Sequence, residues 1–150
     1  MIREAKISDA AELYAMEHDI VYNGFEALGM KVDIDSLVCS ILHDIKDESA
    51  IVIVAELGGN LKGIMVTHLR YNYFNINQKI GSIIMWNVTE DARRTLVPCR
   101  MFREMARICK GAGCDMVDAA YTEGHSPPEL ARVYEKLGMT KVETLYRMEV

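Results

Sequence analysis

The side chains able to move protons gather toward the C-terminal third of the chain. Tyr134 carries a phenol, and a reference pKa of about 10 keeps such a group protonated at neutral pH and able to donate to a leaving anion. His125 carries an imidazole, the side chain whose ordinary titration range suits a general base near pH 7. Glu123 stands two residues before it. Asp118 lies inside an otherwise apolar run, where a carboxylate is either a base with a raised pKa or a structural hydrogen-bond acceptor. His68 is a further imidazole near the end of a β-branched stretch. Each has a plainer reading. Tyr134 falls on one helical stripe with Leu130, Val133 and Leu137, where packing accounts for it, and His125 reads equally as an exposed loop histidine. Arg93-Arg94 precedes a helix and offers positive charge to an anion, or forms a solvated basic pair opposite Glu90 and Asp91.

The elements that must position these groups follow from apolar spacing. Residues 2–7 read as a short strand. Ser8 or Asp9 caps a helix to about His18, with Leu13, Met16 and Ile20 inward. From Asp33, Ile34, Leu37, Val38, Ile41, Leu42 and Ile45 make a second helical stripe. Residues 51–57 and 61–69 read as strands joined by Gly58-Gly59-Asn60. Residues 70–78 read as a long hairpin tip whose Tyr71, Tyr73 and Phe74 line a substrate mouth or subunit contact, or fold onto their own sheet. Residues 79–88 form the next strand. Met101, Phe102, Met105, Ile108, Cys109 and Ala112 mark a helix closed by Gly111 and Gly113, and residues 114–121 form a strand. Ser126-Pro127-Pro128-Glu129 has the form of a capping box, opening a helix that stops at Gly138. Residues 141–150 alternate, with Val142, Thr144, Tyr146, Met148 and Val150 on one face.

Composition narrows the function classes. The 150 residues suit one domain, residues 1–150, and a 50% hydrophobic, 26% charged chain has enough apolar material for a core. With 22 acidic against 17 basic residues the net charge is −5, which argues against nucleic acid bound through bulk charge. No apolar stretch approaches the roughly 20 residues of a membrane span, and the first residues lack the apolar core of a signal peptide. A cytoplasmic protein is expected, with Cys39, Cys99, Cys109 and Cys114 reduced and mostly buried. The cysteines and His18, His43, His68 and His125 show no metal-ligand spacing, so no metal is expected.

The order strand, two helices, three strands, helix, strand, helix, strand resembles the GNAT superfamily of acetyl-CoA-dependent N-acetyltransferases. Two segments carry the resemblance at motif level. Leu130 to Met139 contains Tyr134-Glu135-Lys136-Leu137-Gly138-Met139, similar to the family's Tyr-Glu-Lys-Leu-Gly-Phe. Trp86 to Phe102 resembles the fourth strand, pyrophosphate loop and following helix, with Arg93 at the loop's first position and Leu96 and Pro98 at its two glycine positions. Leucine adds bulk where a backbone approaches phosphate, and proline removes an amide, although its place suits a first helical turn.

The resemblance implies an α+β fold, or mixed α/β. Its central mixed sheet is mostly antiparallel, flanked by helices and splayed between strands four and five. It implies acetyl-CoA held by Asn87, Val88, Arg93, Arg94, Thr95, Leu96, Val97 and Ser126, although helix capping alone accounts for Ser126. Tyr134 would protonate the CoA thiolate. The family's glutamate on strand four has no counterpart among residues 81–88, which leaves His125 as the catalytic base put forward, with Asp118 and His68 behind it. The implied reaction is direct attack of a primary amine, on a small molecule or a protein, upon the thioester. Relatives are often dimers, so a homodimer is admitted. The alternative is a catalytically inactive GNAT-fold binding or interaction protein.

Overall fold

The computed structural model describes residues 1–20, 25, 29–122, 126–148 and 150. It divides into two compact units: Met1–Ile20 with Asp33–Ala120, and Val21–Val32 with Tyr121–Val150.

The first unit is built on a five-stranded sheet in the order β1 (Ile2–Glu4), β2 (Ala50–Leu57), β3 (Asn60–Asn72), β4 (Asn75–Val88) and β5 (Met116–Ala119). All neighbours are antiparallel except β4 and β5, which are parallel. This is the mixed, mostly antiparallel sheet expected from the sequence. The helices are α1 (Ala10–Asp19), α2 (Ile34–Asp44), α3 (Glu90–Arg93) and α4 (Val97–Gly111), and a 3-10 turn (Ile7–Asp9) precedes α1. Asp33 caps α2 by accepting the Ser36 amide at 3.0 Å.

Side-chain alternation assigns the two faces of the sheet. Gly63, Met65, Thr67, Gly81 and Trp86 face α4, whose Met101, Phe102, Met105 and Cys109 are buried. Trp86 and Phe102 rings lie 5.8 Å apart across that interface. Ile64, Val66, His68, Ser82 and Asn87 share the other face, where α1 and α2 pack. Leu13, Met16 and Ile20 of the α1 stripe are buried as their spacing requires.

Two glycines set how closely α4 approaches. A Cβ on Gly63 would stand 2.9 Å from Met101 Sδ, and one on Gly81 would stand 2.7 Å from Cys109 Sγ and 3.3 Å from Thr67 Cγ2. Gly81→Ala should therefore destabilise the fold by about 1–3 kcal/mol through overpacking, read as a lower denaturation midpoint at unchanged slope. The N-terminal strand is pinned by Arg3, which donates to Asp9 at 2.8 and 2.9 Å and to Glu56 at 3.2 Å. Its guanidinium, more than the Lys6 amide, holds the Asp9 carboxyl below the usual range against the opposing effect of burial.

Several boundaries differ from those read in the sequence. β1 stops at Glu4, and β5 holds only four residues. The 70–78 segment is mostly strand, leaving Tyr73-Phe74 as the tip. Asn72 donates to Gln78 at 2.6 Å across this extension and accepts the Phe74 amide at 3.0 Å, so polar side chains tie it together where an apolar period is missing. Of the cysteines only Cys109 is buried. Cys99 and Cys114 are intermediate and Cys39 is exposed, so the expectation that most are buried fails. Burial pushes the Cys109 thiol up to about 12.

The second unit contains α5 (Glu129–Lys136). Its end is the expected left-handed stop: Gly138 has φ 81°, its amide donates to the Glu135 carbonyl, and the Met139 amide donates to the Tyr134 carbonyl. Its start is not the expected capping box. Pro128 is the N-cap, and no side chain caps the helix. With two prolines after it, Ser126 is too far upstream to reach the first free amides, and its hydroxyl instead accepts the Thr122 amide at 2.9 Å. The described residues of 141–150 form no strand.

Candidate functional site

Parallel pairing of β4 with β5 joins Ile80–Ile83 to Met116–Ala119 and then ends, while β4 continues to Val88. The strands part at a bulge. Val66 opposes Met85 and Thr67 opposes Ile83, so Ile84 is the extra residue, partnered by neither neighbouring strand. The opened edge of β4, residues 84–88, leads straight into α3 and the N-terminus of α4.

The α3–α4 connection is held by its own polar groups. Arg93 Nε donates to the Val88 carbonyl at 2.8 Å, tying the loop to the end of β4. Thr95 Oγ1 donates to the Ala92 carbonyl at 2.7 Å and accepts the Val97 amide at 3.1 Å. Leu96 is the N-cap of α4 and is 66% exposed, so its bulk points away from the core. The amides of Leu96 and Cys99 have no hydrogen-bond partner among the described residues, and Arg94 is exposed without an ion pair there. Two free backbone donors thus stand at a helix N-terminus, with Arg94 close by in sequence, a combination that favours negative charge.

Asn87 and Val88 are both buried. Asn87 Nδ2 donates to Glu17 Oε2 at 2.8 Å, and Glu17, on α1, is 0% exposed. A buried carboxylate is thus hydrogen-bonded to the asparagine of the opened strand. Glu17 lies on the inward stripe of α1 at helical spacing from Leu13, Met16 and Ile20, a signal that the sequence carried and that hydrophobic counting passes over.

One polar row crosses the sheet just before the opening. His68, Ser82 and Asp118 stand directly opposite one another on β3, β4 and β5. His68 Nε2 is 3.1 Å from Asp44 Oδ2 at the end of α2. Arg70 donates to Ser82 Oγ at 2.7 Å and to Asp118 Oδ2 at 2.6 Å. Asp118 is therefore a partly exposed, ion-paired carboxylate and not a buried free base. The His68 imidazole, across β4 in the same row, is held by the Asp44 carboxylate, the arrangement that orients a general base.

Tyr134 and Ser126 belong to the second unit. Tyr134 is half-buried on the stripe with Leu130, Val133 and Leu137, and burial pushes its phenol up to about 12. His125 and Glu123 lie outside the described residues. A surface depression of about 430 Å³ lies elsewhere, between Ile2 and the Arg100, Arg103, Glu104 and Arg107 side chains of α4. Long charged side chains form most of its walls. Among the described residues no group of three or more histidine, cysteine or acidic side chains could hold a metal ion, and no helix is long and apolar enough to cross a membrane.

No protein-family model and no curated protein matches this sequence. Solved structures do. A transcriptional regulator from Bacillus halodurans C-125 is 20% identical, with TM-score 0.78, covering 100% of this chain and 99% of its own. The aminoglycoside antibiotic 6'-N-acetyltransferase of Acinetobacter haemolyticus is 12% identical, with TM-score 0.75 and coverages of 100% and 97%. AAC(6')-Iy, solved with the bisubstrate analogue CoA-S-monomethyl-acetylneamine, is 14% identical, with TM-score 0.75 and coverages of 100% and 98%. With its parallel β4–β5 pair opening at a bulge and full-length likeness to acetyltransferase structures, the chain has the GNAT fold.

Proposed function

We propose that this protein is an N-acetyltransferase moving the acetyl group of acetyl-CoA to a primary amine by direct attack. The observation that carries the reading is the opened edge of β4, whose bulge at Ile84 leads into a helix N-terminus with two amides unpartnered among the described residues. The same fold in AAC(6')-Iy was solved with a CoA-containing bisubstrate analogue.

The pyrophosphate would be held by the Leu96 and Cys99 amides and by Arg94. Arg93, Thr95 and Val97 shape the turn, and Asn87 and Val88 supply the adjoining strand. Ser126, the remaining cofactor-binding candidate, has its hydroxyl tied to the Thr122 amide. Acetyl-CoA supplies a thioester carbonyl: the amine nitrogen bonds to that carbon as the carbon–sulfur bond breaks. Main-chain amides of the opened β4 edge polarise the oxygen. Tyr134 gives its phenolic proton to the departing thiolate. The amine proton goes to an imidazole. His125 is the candidate from sequence, and His68 with Asp44 is the one whose described geometry supports the role. The net charge of −5 favours a cationic acceptor in its approach.

Thermal unfolding with acetyl-CoA tests the reading directly. At about 100 times its dissociation constant a native-state ligand adds about 2.7 kcal/mol, a rise of roughly 5–10 °C for a chain of this size. No shift at millimolar acetyl-CoA removes the transferase reading. It would leave a catalytically inactive GNAT-fold binding protein, which Leu96 and Pro98 at the loop's glycine positions and the missing acid on residues 81–88 favour.

A further inference from the structure

The turn that ends α4 brings two thiols together. Gly113 takes φ 82°, its amide donates to the Lys110 carbonyl at 3.1 Å, and the Cys114 amide donates to the Cys109 carbonyl at 2.9 Å. This pair of hydrogen bonds folds the chain back on itself, so that the residues at its two ends meet. Backbone bond lengths and the 2.9 Å contact hold the Cys109 and Cys114 Cα atoms at most about 6.8 Å apart, and the bent angles at amide and carbonyl draw them inside disulfide reach. The side chains converge as well, with the Cys114 thiol in hydrogen-bonding range of the Cys109 thiol. They differ in access: Cys109 is buried, and Cys114 is half-buried. Lys79 Nζ donates to the Ala112 carbonyl at 3.0 Å and so sets an ammonium in the same turn.

We propose that Cys109 and Cys114 form a reversible oxidation site, at which a hydroperoxide oxidises Cys114 and Cys109 then closes a disulfide across the end of α4. Cys114, the accessible sulfur, attacks a peroxide oxygen as its thiolate. The oxygen–oxygen bond breaks, the departing alkoxide takes up a proton, and Cys114 becomes a sulfenic acid. The Cys109 sulfur gives up its proton and attacks the Cys114 sulfur. A sulfur–sulfur bond forms, the sulfur–oxygen bond breaks, and the oxygen leaves with that proton as water. Two thiols have then lost two electrons and two protons, and the hydroperoxide has become an alcohol and water.

Burial of Cys109 slows the second step without blocking it. Desolvation is the main reason that its thiol sits at about 12. Against an ordinary value of about 9, that cuts its thiolate share near pH 7 about a thousandfold. Nucleophilicity rises with basicity and returns roughly twentyfold to thirtyfold of the loss. The remaining deficit is small beside the effective molarity of about 10⁵ M or more that well-oriented intramolecular reactions reach. Packing supplies the orientation, because Cys109 Sγ fills the space that a Cβ on Gly81 would need. The Lys79 ammonium works against the desolvation and favours the thiolate.

Mass spectrometry of the full chain after treatment with hydrogen peroxide tests the proposal. The expected product is lighter than the reduced chain by about 2 Da and has two thiols fewer. Lys110 lies between the two cysteines, so trypsin separates them. The link should then appear as the peptide Ile108–Lys110 joined to Gly111–Arg132, and dithiothreitol should release both. A chain carrying Cys39→Ser and Cys99→Ser should give the same product. Cys114→Ser should abolish it and slow loss of the Cys109 thiol at least about tenfold, because the buried sulfur then lacks its accessible partner. A wild-type chain whose Cys114 stops at sulfenic or sulfinic acid while Cys109 stays a thiol overturns the proposal. So does a disulfide that contains Cys39 or Cys99, and so does survival of all the thiols. These outcomes are read on the wild-type chain, so a variant that fails to fold leaves the test standing.

Discussion

Tyr134→Phe is expected to slow thiol release from acetyl-CoA by about 10²- to 10⁴-fold, the range lost when a positioned proton donor is removed. The substitution deletes one oxygen and keeps the ring. The stripe shared with Leu130, Val133 and Leu137 therefore survives, and stability should change by less than about 1 kcal/mol. Binding should survive as well, so the rise in melting temperature with acetyl-CoA should match that of the wild type. The pH profile supplies a further readout. Burial disfavours the phenolate and raises Tyr134 to about 12, so the donor stays protonated through neutral and mildly alkaline conditions. Loss of its proton cannot produce an alkaline decline until the pH nears that value. Turnover within about threefold of wild type would show that the tyrosine only packs, against the 10²-fold minimum of a working acid.

The core elements were legible because their apolar periods are strong. The α1 and α2 stripes, the β-branched run of β2 and the Met-Phe-Met-Ile-Cys face of α4 each stand in the structure near their expected places. What failed had no period to read. The β3–β4 extension through Arg70 to Gln78 is exposed on both faces and is tied by asparagine and glutamine side chains, so it resembles a loop in sequence. Residues 141–150 show the opposite failure. Their alternation is clear, but alternation specifies only a preference for a strand, and a strand requires an edge to pair with.

The site was legible where charge meets a helix start and illegible where it depends on register. Arg93, Arg94 and the α4 N-terminus could be located from residue types alone. The bulge at Ile84 could not, because one extra residue in a continuous apolar strand leaves composition unchanged while it shifts every later side chain to the other face. Without that shift Asn87 would not share a face with Ile64 and meet Glu17. The Asp44–His68 pair was hidden for a related reason. Its members are 24 residues apart, on a helix end and a strand, and only the packing of α2 against β2 and β3 joins them.

That pair leads to the second large effect: His68→Gln is expected to lower kcat for amine acetylation about 10²-fold. An attacking amine must shed a proton, and residues 81–88 hold no acid to take it. His68 stands one row before β4 parts from β5, beside Ser82 in register. With the Asp44 carboxylate accepting from Nε2, Nδ1 is left as the lone-pair nitrogen that can receive a proton. Asp44→Asn should then reproduce much of the loss, because an amide can present its NH2 to Nε2 and favour the other tautomer. Neither change touches the α4 N-terminus, so stabilisation by acetyl-CoA should persist in both. The loss should also shrink as the pH rises past the acceptor amine's own pKa, because a nucleophile that arrives neutral asks less of a base. A loss that stays constant across that range would mean that His68 holds structure and not the proton. Full activity in His68→Gln, with loss in His125→Gln, would move the base to the β5–α5 connection.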